Sequence, residues 1–254
     1  ATLFEREGAE VVLGPTLRKL ATAATFNPSL PYLSFLCINF DAPVVKEAAS
    51  WFLGGVFLNY NSSYLERALE QMLDEAVTRF LRAVDVRIDG FRVEKAPEGR
   101  GQRVFVKHEV DGKGYELRLS EESAGTQKLM GLAAFLLAAL ERGGTVVVDE
   151  LDAKLHPKLL RYVILLFKDP EVNKHGAQLI FSSQDVSTMR NDVFRRDEIW
   201  FAARGEGEAS QLWSLADIHE ANGNLVSKNA AFDKQYLSGR YGADPYLTRI
   251  EEWG

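Results

Sequence analysis

The chain has 254 residues, 46% of them hydrophobic and 26% charged, which is the composition of a folded globular protein and not of a disordered one. Its 30 basic and 36 acidic side chains leave a net charge of −6, without the overall basic footprint of a duplex-DNA binder, although a local basic patch remains compatible with that balance. No run approaches the ~20 apolar residues of a membrane span, no basic-then-apolar leader opens the sequence, and a single cysteine, Cys37, excludes an internal disulfide framework and a Cys-based zinc site and suits a reducing, cytoplasmic compartment.

The sequence opens on Ala1 and not on Met, which reads either as removal of an initiator Met or as a start inside a longer protein. Residues 1–13 read as two strands turned at Gly8, Pro15–Ala24 as a short helix, and Asn27–Pro31 as a breaker cluster. The apolar run Tyr32–Phe40 fits a strand or a buried helix. A helix is predicted over Pro43–Phe52, with proline in its first turn. Another runs from an N-cap at Ser62 or Ser63 to about Val84, with Leu65, Leu69, Met72, Leu73, Ala76, Phe80 and Leu81 as its apolar stripe. That stripe fits packing on a sheet or a helical arm that meets a partner. Strands are predicted at Val86–Val93, Arg103–Glu109 and Tyr115–Leu119, with a polar loop at Ala96–Gly101 and a hairpin turn at Asp111-Gly112.

A helix from about Gly125 to Arg142 is apolar nearly all round, hence buried, and Gly143-Gly144 closes it. Thr145–Val148 reads as a central buried strand, Pro157–Lys168 as a helix, Gln178–Ser182 as a second buried strand and Val186–Asn191 as a short helix. Glu198–Ala203 and Gln211–Leu215 read as strands, and the tail 222–254 as mixed, broken at Gly239, Gly242 and Pro245. Apolar strands alternating with helices predict an α/β fold with a parallel sheet covered on both faces.

The chemistry concentrates at Thr145–Glu150, where an apolar strand ends in Asp149-Glu150 and so places two carboxylates at the carboxyl edge of a parallel sheet. One such acid can hold Mg²⁺ and the other can orient or deprotonate an attacking water. The small residues Ser123–Thr126 open the buried helix, whose N-terminus is a ready anion site. Ser182, Ser183, Gln184 and Asp185 add polar groups to the same sheet edge. His156 reads as a packing or capping residue in preference to a metal ligand, because His108, His175 and His219 are scattered. Cys37 reads as core. The Arg190, Arg195 and Arg196 cluster reads as a solvated basic face, with nucleic-acid contact as the alternative. Tyr236, Tyr241, Tyr246 and Trp253 either form an interface or pack back on the domain.

The order ESAGTQKL, helix, VVVDELDAKLHP, helix, LIFSSQD resembles the C-terminal half of an ABC-type ATPase of the AAA15 and OLD-like group, related to SMC and RecF heads. The match runs from about Leu119 to Leu215, and RRDEIWF at 195–201 and YLSGRYGADPYL at 236–247 share it. The resemblance implies a P-loop NTPase fold of the ABC-head type, with a mostly parallel core sheet, a helical insertion and an antiparallel hairpin. It divides the chain into an N-terminal part (1–118), an ATPase C-terminal lobe (119–220) and a tail (221–254). It implies ATP and Mg²⁺ as ligands, with Asp149 as the Walker B acid near the metal and Glu150 as the catalytic base. Ser123, Ala124, Gly125, Thr126 and Gln127 match the signature motif that touches the γ-phosphate bound by the opposite subunit, and Asp152 lies in the D-loop. Gln184 stands where the family usually has a switch histidine, and it cannot carry an imidazolium charge.

No GxxxxGK[ST] occurs in the sequence. The resemblance places that Walker A loop upstream, in a unit of roughly 80–100 residues, unless the chain is a degenerate subunit that never had one. The partners implied are a second copy through the ATP sites and an effector, a nuclease or toxin, gated in bacterial anti-phage defence. An SMC- or RecF-like repair ATPase and a non-hydrolysing scaffold are the alternatives. The sequence carries no nuclease motif of its own.

Overall fold

A computed structural model describes residues 4–7, 10–13, 43–59, 75–84, 86–95, 102–204, 209–220 and 223–243. The helix read at Pro15–Ala24, the cluster Asn27–Pro31, the run Tyr32–Phe40 with Cys37, the caps Ser62 and Ser63, the stripe residues Leu65 to Leu73, the loop Ala96–Gly101, and Tyr246 and Trp253 lie outside the described residues.

The first two strands form an antiparallel pair, β1 (Phe4–Glu7) with β2 (Glu10–Leu13). Helix α1 (Pro43–Gly54) ends at Gly55 and runs directly into β3 (Val56–Asn59). Sequence periodicity gives no sign of β3, because three apolar residues and an asparagine after two glycines acquire an identity only through a partner. That partner is β7 (Thr145–Val148), paired in parallel with Leu58 opposite Val147. On its other side β7 pairs in parallel with β8 (Gln178–Phe181), Val148 opposite Phe181, so β7 is the central strand of three, as its composition predicts. β8 departs from the expectation of a fully buried strand. Its side chains alternate, Leu179 and Phe181 toward the core and Ile180 55% exposed, so only one of its faces is packed among the described residues.

Helix α2 (Glu75–Ala83) buries Val77, Thr78, Phe80 and Leu81 and packs on α3 (Ala124–Arg142), so the described part of the stripe meets the chain's own core. Between them lies an antiparallel sheet of β4 (Gly90–Lys95), β5 (Gln102–Val110) and β6 (Lys113–Arg118). Its first strand starts at Gly90 and not at Val86. Residues 86–89 are irregular, and Ile88 is buried as an anchor without ladder pairing. The β5–β6 turn has Asp111 and Gly112 at φ 52° and 72°, the left-handed pair that a two-residue hairpin needs.

Ten residues of α3, among them Leu129, Met130, Leu132, Leu136 and Leu140, are buried around its whole circumference. Each such large side chain contributes about 1.5–3 kcal/mol by leaving water. α4 (Pro157–Lys168) forms the β7–β8 crossover and buries Leu160, Val163 and Ile164 in the same core. The short helix read at Val186–Asn191 shrinks to a 3-10 turn over Val186–Thr188, capped by Asp185. Beyond it, β9 (Trp200–Arg204) and β10 (Ser210–Ser214) form an antiparallel pair. Phe201 of this pair stacks on Tyr236 of α5 (Phe232–Leu237) at 5.8 Å and meets Tyr241 at 5.3 Å, so these two tail tyrosines pack back on the chain.

Candidate functional site

The parallel pairing of β7 with β8 decides where the acidic pair stands. One residue beyond the paired Val148 and Phe181, Asp149 faces Ser182. The Ser182 N–H donates to the Val148 carbonyl at 3.1 Å and the Leu151 N–H to the Ser182 carbonyl at 3.0 Å. The Ser182 hydroxyl donates to Asp149 Oδ1 at 2.5 Å and accepts the Glu150 N–H at 2.7 Å. One side chain therefore fixes both acids, and Asp149 and Glu150 stay exposed at the carboxyl edge of the sheet. Sequence reading placed Ser182 on this edge but gave it no role. The strand register is the signal that assigns one.

The turn from Asp149 to His156 is knit by the Ala153 N–H to the Glu150 carbonyl (3.1 Å) and the Leu155 N–H to the Asp152 carbonyl (3.0 Å). Fully buried Leu151 anchors it. Glu150 and Lys154 both adopt left-handed backbone, φ 50° and 65°. Asp152 Oδ1 is buried without a hydrogen-bond partner. His156 caps α4, its Nδ1 accepting the Lys158 N–H at 3.2 Å, the capping role its place before Pro157 suggests.

The other wall is the start of α3. Ser123 is the N-cap: its hydroxyl accepts the Thr126 N–H at 3.1 Å and lies 2.9 Å from Thr126 Oγ1. Ser123 and Ala124 are exposed. Gln127 turns its amide back and donates to the Glu122 carbonyl at 2.7 Å. A Cβ on Gly125 would sit 2.9 Å from the Lys154 carbonyl, so glycine at this place lets the helix start press against the acidic turn. Lys128, one turn further on, donates from Nζ to the Glu150 carbonyl. Burial holds its ammonium below the usual lysine pKa, against the pull of Asp152, Glu150 and Asp149. Lys128 is a second residue that sequence reasoning missed; its spacing of i+3 from Gly125 was the available signal.

The fold thus brings Gly125, Lys128, Asp149, Glu150, Asp152 and Ser182 into one corner. Gln184 stands two residues past Ser182, exposed, with its amide unpartnered among the described residues. Next to it Ser183 accepts the Asp185 N–H at 3.0 Å. No group of three or more metal-ligating side chains occurs among the described residues. The exposed Asp149 carboxylate, with one oxygen committed to Ser182, suits Mg²⁺, which keeps waters and shares its shell with substrate phosphates. The basic cluster is ion-paired: Arg190 with Asp192, Arg195 with Asp197 and Glu198, while Arg196 donates to the Val226 carbonyl. No helix among the described residues is long and apolar enough to cross a membrane.

A family model described as "AAA domain, putative AbiEii toxin, Type IV TA system" matches residues 25–190, which include every residue of this corner. No curated protein matches the chain. Among solved structures, one described as "Structural biochemistry of ATP-driven dimerization and DNA stimulated activation of SMC ATPases" is 18% identical with a TM-score of 0.37, the match covering 59% of this chain and 88% of that one. The SMC head domain from Thermotoga maritima is 18% identical with a TM-score of 0.36, over 63% and 53% of the two chains. An SMC head bound to the C-winged helix domain of ScpA is 14% identical with a TM-score of 0.31, over 59% and 41%. The matches thus span about half of the second structure and less of the third.

Proposed function

The chain belongs to that family of AAA domains, and from this premise we propose that it is the signature and Walker B half of an ATPase subunit which pairs with a second copy on ATP and gates an effector, a nuclease or toxin, in bacterial defence. The finer kinship, with the AAA15 and OLD-like ATPases, is part of the same reading. The observation that carries it is the Ser182 hydroxyl, which joins Asp149 and Glu150 into one exposed unit beside the capped start of α3.

In this reading Asp149 holds the metal ion, and the magnesium when bound offsets phosphate charge. Glu150 takes the proton of the attacking water. Its backbone is fixed on two sides, by Ser182 at the N–H and by Lys128 at the carbonyl, so the carboxylate needs little reorganisation. Ser123, Ala124, Gly125, Thr126 and Gln127 present the helix N-terminus to the γ-phosphate held by the partner copy. Asp152 lies in the turn that presses on Gly125 and couples the two sites, and Gln184 hydrogen-bonds the γ-phosphate or the water.

The test is Mg²⁺-dependent ATP turnover of the whole protein, together with its mass by light scattering with and without ATP. Turnover with an ATP-dependent doubling of mass is expected. Neither turnover nor doubling of mass with ATP would replace this reading with the scaffold one, and stimulation by DNA without an effector would replace it with the repair ATPase.

A further inference from the structure

We infer that His108 is a positioning residue for the turn that opens α3: as an imidazolium clamped between the Arg87 carbonyl and the Glu122 carboxylate, it ties that turn to the β4–β5–β6 sheet. His108 lies on β5, opposite Tyr115 of β6. Its Nδ1 is 2.9 Å from the Arg87 carbonyl oxygen and its Nε2 is 2.6 Å from Glu122 Oε1. Both partners offer only lone pairs. A neutral imidazole has a single N–H and can satisfy one of them; two donated bonds require the doubly protonated ring. The side chains of His108 and Glu122 are 21% and 10% exposed, so this ionic hydrogen bond sits largely out of water, where it is strong and directional.

Glu122 carries the restraint onward. Its carboxylate meets His108, its N–H donates to the Leu119 carbonyl at 3.2 Å, and its carbonyl accepts Gln127 Nε2 at 2.7 Å. The next residue is Ser123, the cap of α3. This side-chain link from β5 to the residue before the α3 cap therefore runs through two ionisable groups, His108 and Glu122. The charged groups around His108 come from each neighbouring element. Glu122 comes from the turn. Asp89 comes from the segment before β4, its N–H on the Lys107 carbonyl of β5 (2.7 Å) and its carboxylate 2.9 Å from Arg82 of α2. Burial works against a charged ring, but the bonds to Glu122 and the Arg87 carbonyl and the charges of Glu122 and Asp89 outweigh it and raise the pKa above the ordinary histidine value. With a raised folded-state pKa, the clamp is fully present below the ordinary value and is lost as pH rises through the folded one.

The inference rests on the proposed function only in what the turn is for; the clamp is testable without nucleotide. Nitrogen-15 NMR of the whole protein across pH 5–9 reads the His108 ring and the amides of Ser123, Thr126 and Gln127. The expected result is a His108 midpoint above the ordinary value, turn amides that shift with the same midpoint, and a lowered midpoint in Glu122→Gln with the turn amides uncoupled from it. A His108 that titrates at or below the ordinary value, or turn amides that stay still while it titrates, overturns the clamp, and the wild-type titration alone decides this if the variant does not fold. Turnover is then followed over the same range. A decline at the His108 midpoint supports both claims, whereas a coupled NMR titration with turnover indifferent to it upholds the clamp and counts against the nucleotide role of the turn.

Discussion

The two ends of β7 solve the same geometric problem in opposite ways. At its start, α3 reverses through Gly143, a glycine at φ 74°, with the N–H groups of Gly143 and Gly144 both on the Ala139 carbonyl (2.8 and 3.0 Å). A Cβ on Gly143 would strike the His175 carbonyl. This end follows the chemistry of a helix C-terminus, where glycine adopts left-handed backbone without penalty. At the other end the same backbone region is occupied by Glu150 and Lys154. Neither is a residue that adopts it readily, and each costs about 1–2 kcal/mol there. Asp111, also at positive φ, is different, since it sits in a hairpin turn that favours aspartate. Strained non-glycine backbone persists where surroundings over-determine it, and Ser182, Lys128 and buried Leu151 do so here. The start of β7 is built for stability, whereas its end keeps two strained side chains, of which Glu150 is the one proposed to act on the attacking water.

Glu150 gives the sharpest way to break that contrast. Glu150→Gln keeps the shape and removes the carboxylate proposed as the base, so turnover should fall roughly 100-fold or more while the ATP-bound pair accumulates in light scattering. Glu150→Gly should lose turnover equally but gain stability in denaturant titration, because the backbone strain is released. A Glu150→Gln protein that turns over normally removes Glu150 from the reaction. Gly143→Ala probes the opposite end. Left-handed strain and the clash with the His175 carbonyl should together cost about 2–4 kcal/mol of unfolding free energy, with turnover per folded molecule unchanged. A neutral Gly143→Ala would mean that this end is not the rigid one.

How much of this was legible follows from range. α3 announced both ends, because Ser123 and Gly143 act on their own neighbours. α4 did so through Pro157, and the β5–β6 hairpin through Asp111-Gly112. β3 did not, since its partner lies 89 positions away, as Val56 opposite Thr145 shows. Val86 and Ile88 carried a strand signal that was really burial. In the corner, the acids were legible because carboxylates after an apolar strand are conspicuous. Ser182 acquires its task from register and Lys128 from the way an eight-residue turn folds back on α3, neither of which periodicity encodes. The Gln127 amide, expected toward a phosphate, closes the turn on the Glu122 carbonyl.

Lys128→Met should come next in size. It preserves most of the stem that packs in the corner but removes the donor to the Glu150 carbonyl, so turnover should drop about tenfold, equivalent to ~1.4 kcal/mol of barrier, with ATP affinity little changed. A fall in affinity with unchanged turnover at saturation would mean that Lys128 serves binding and not the alignment of Glu150.

The smallest effect separates the two strained residues from each other. Lys154 is exposed and its carbonyl, not its side chain, meets Gly125. Lys154→Gly relieves the same left-handed strain as Glu150→Gly and should raise stability by about 1 kcal/mol. Unlike Glu150→Gly, it should leave turnover intact, because the contact to the α3 start is made by backbone. If turnover falls with it, the Lys154 ammonium belongs to the working surface of the turn. If turnover holds and stability rises, the end of β7 contains one residue kept for its chemistry and one whose strain merely follows from the path of the chain.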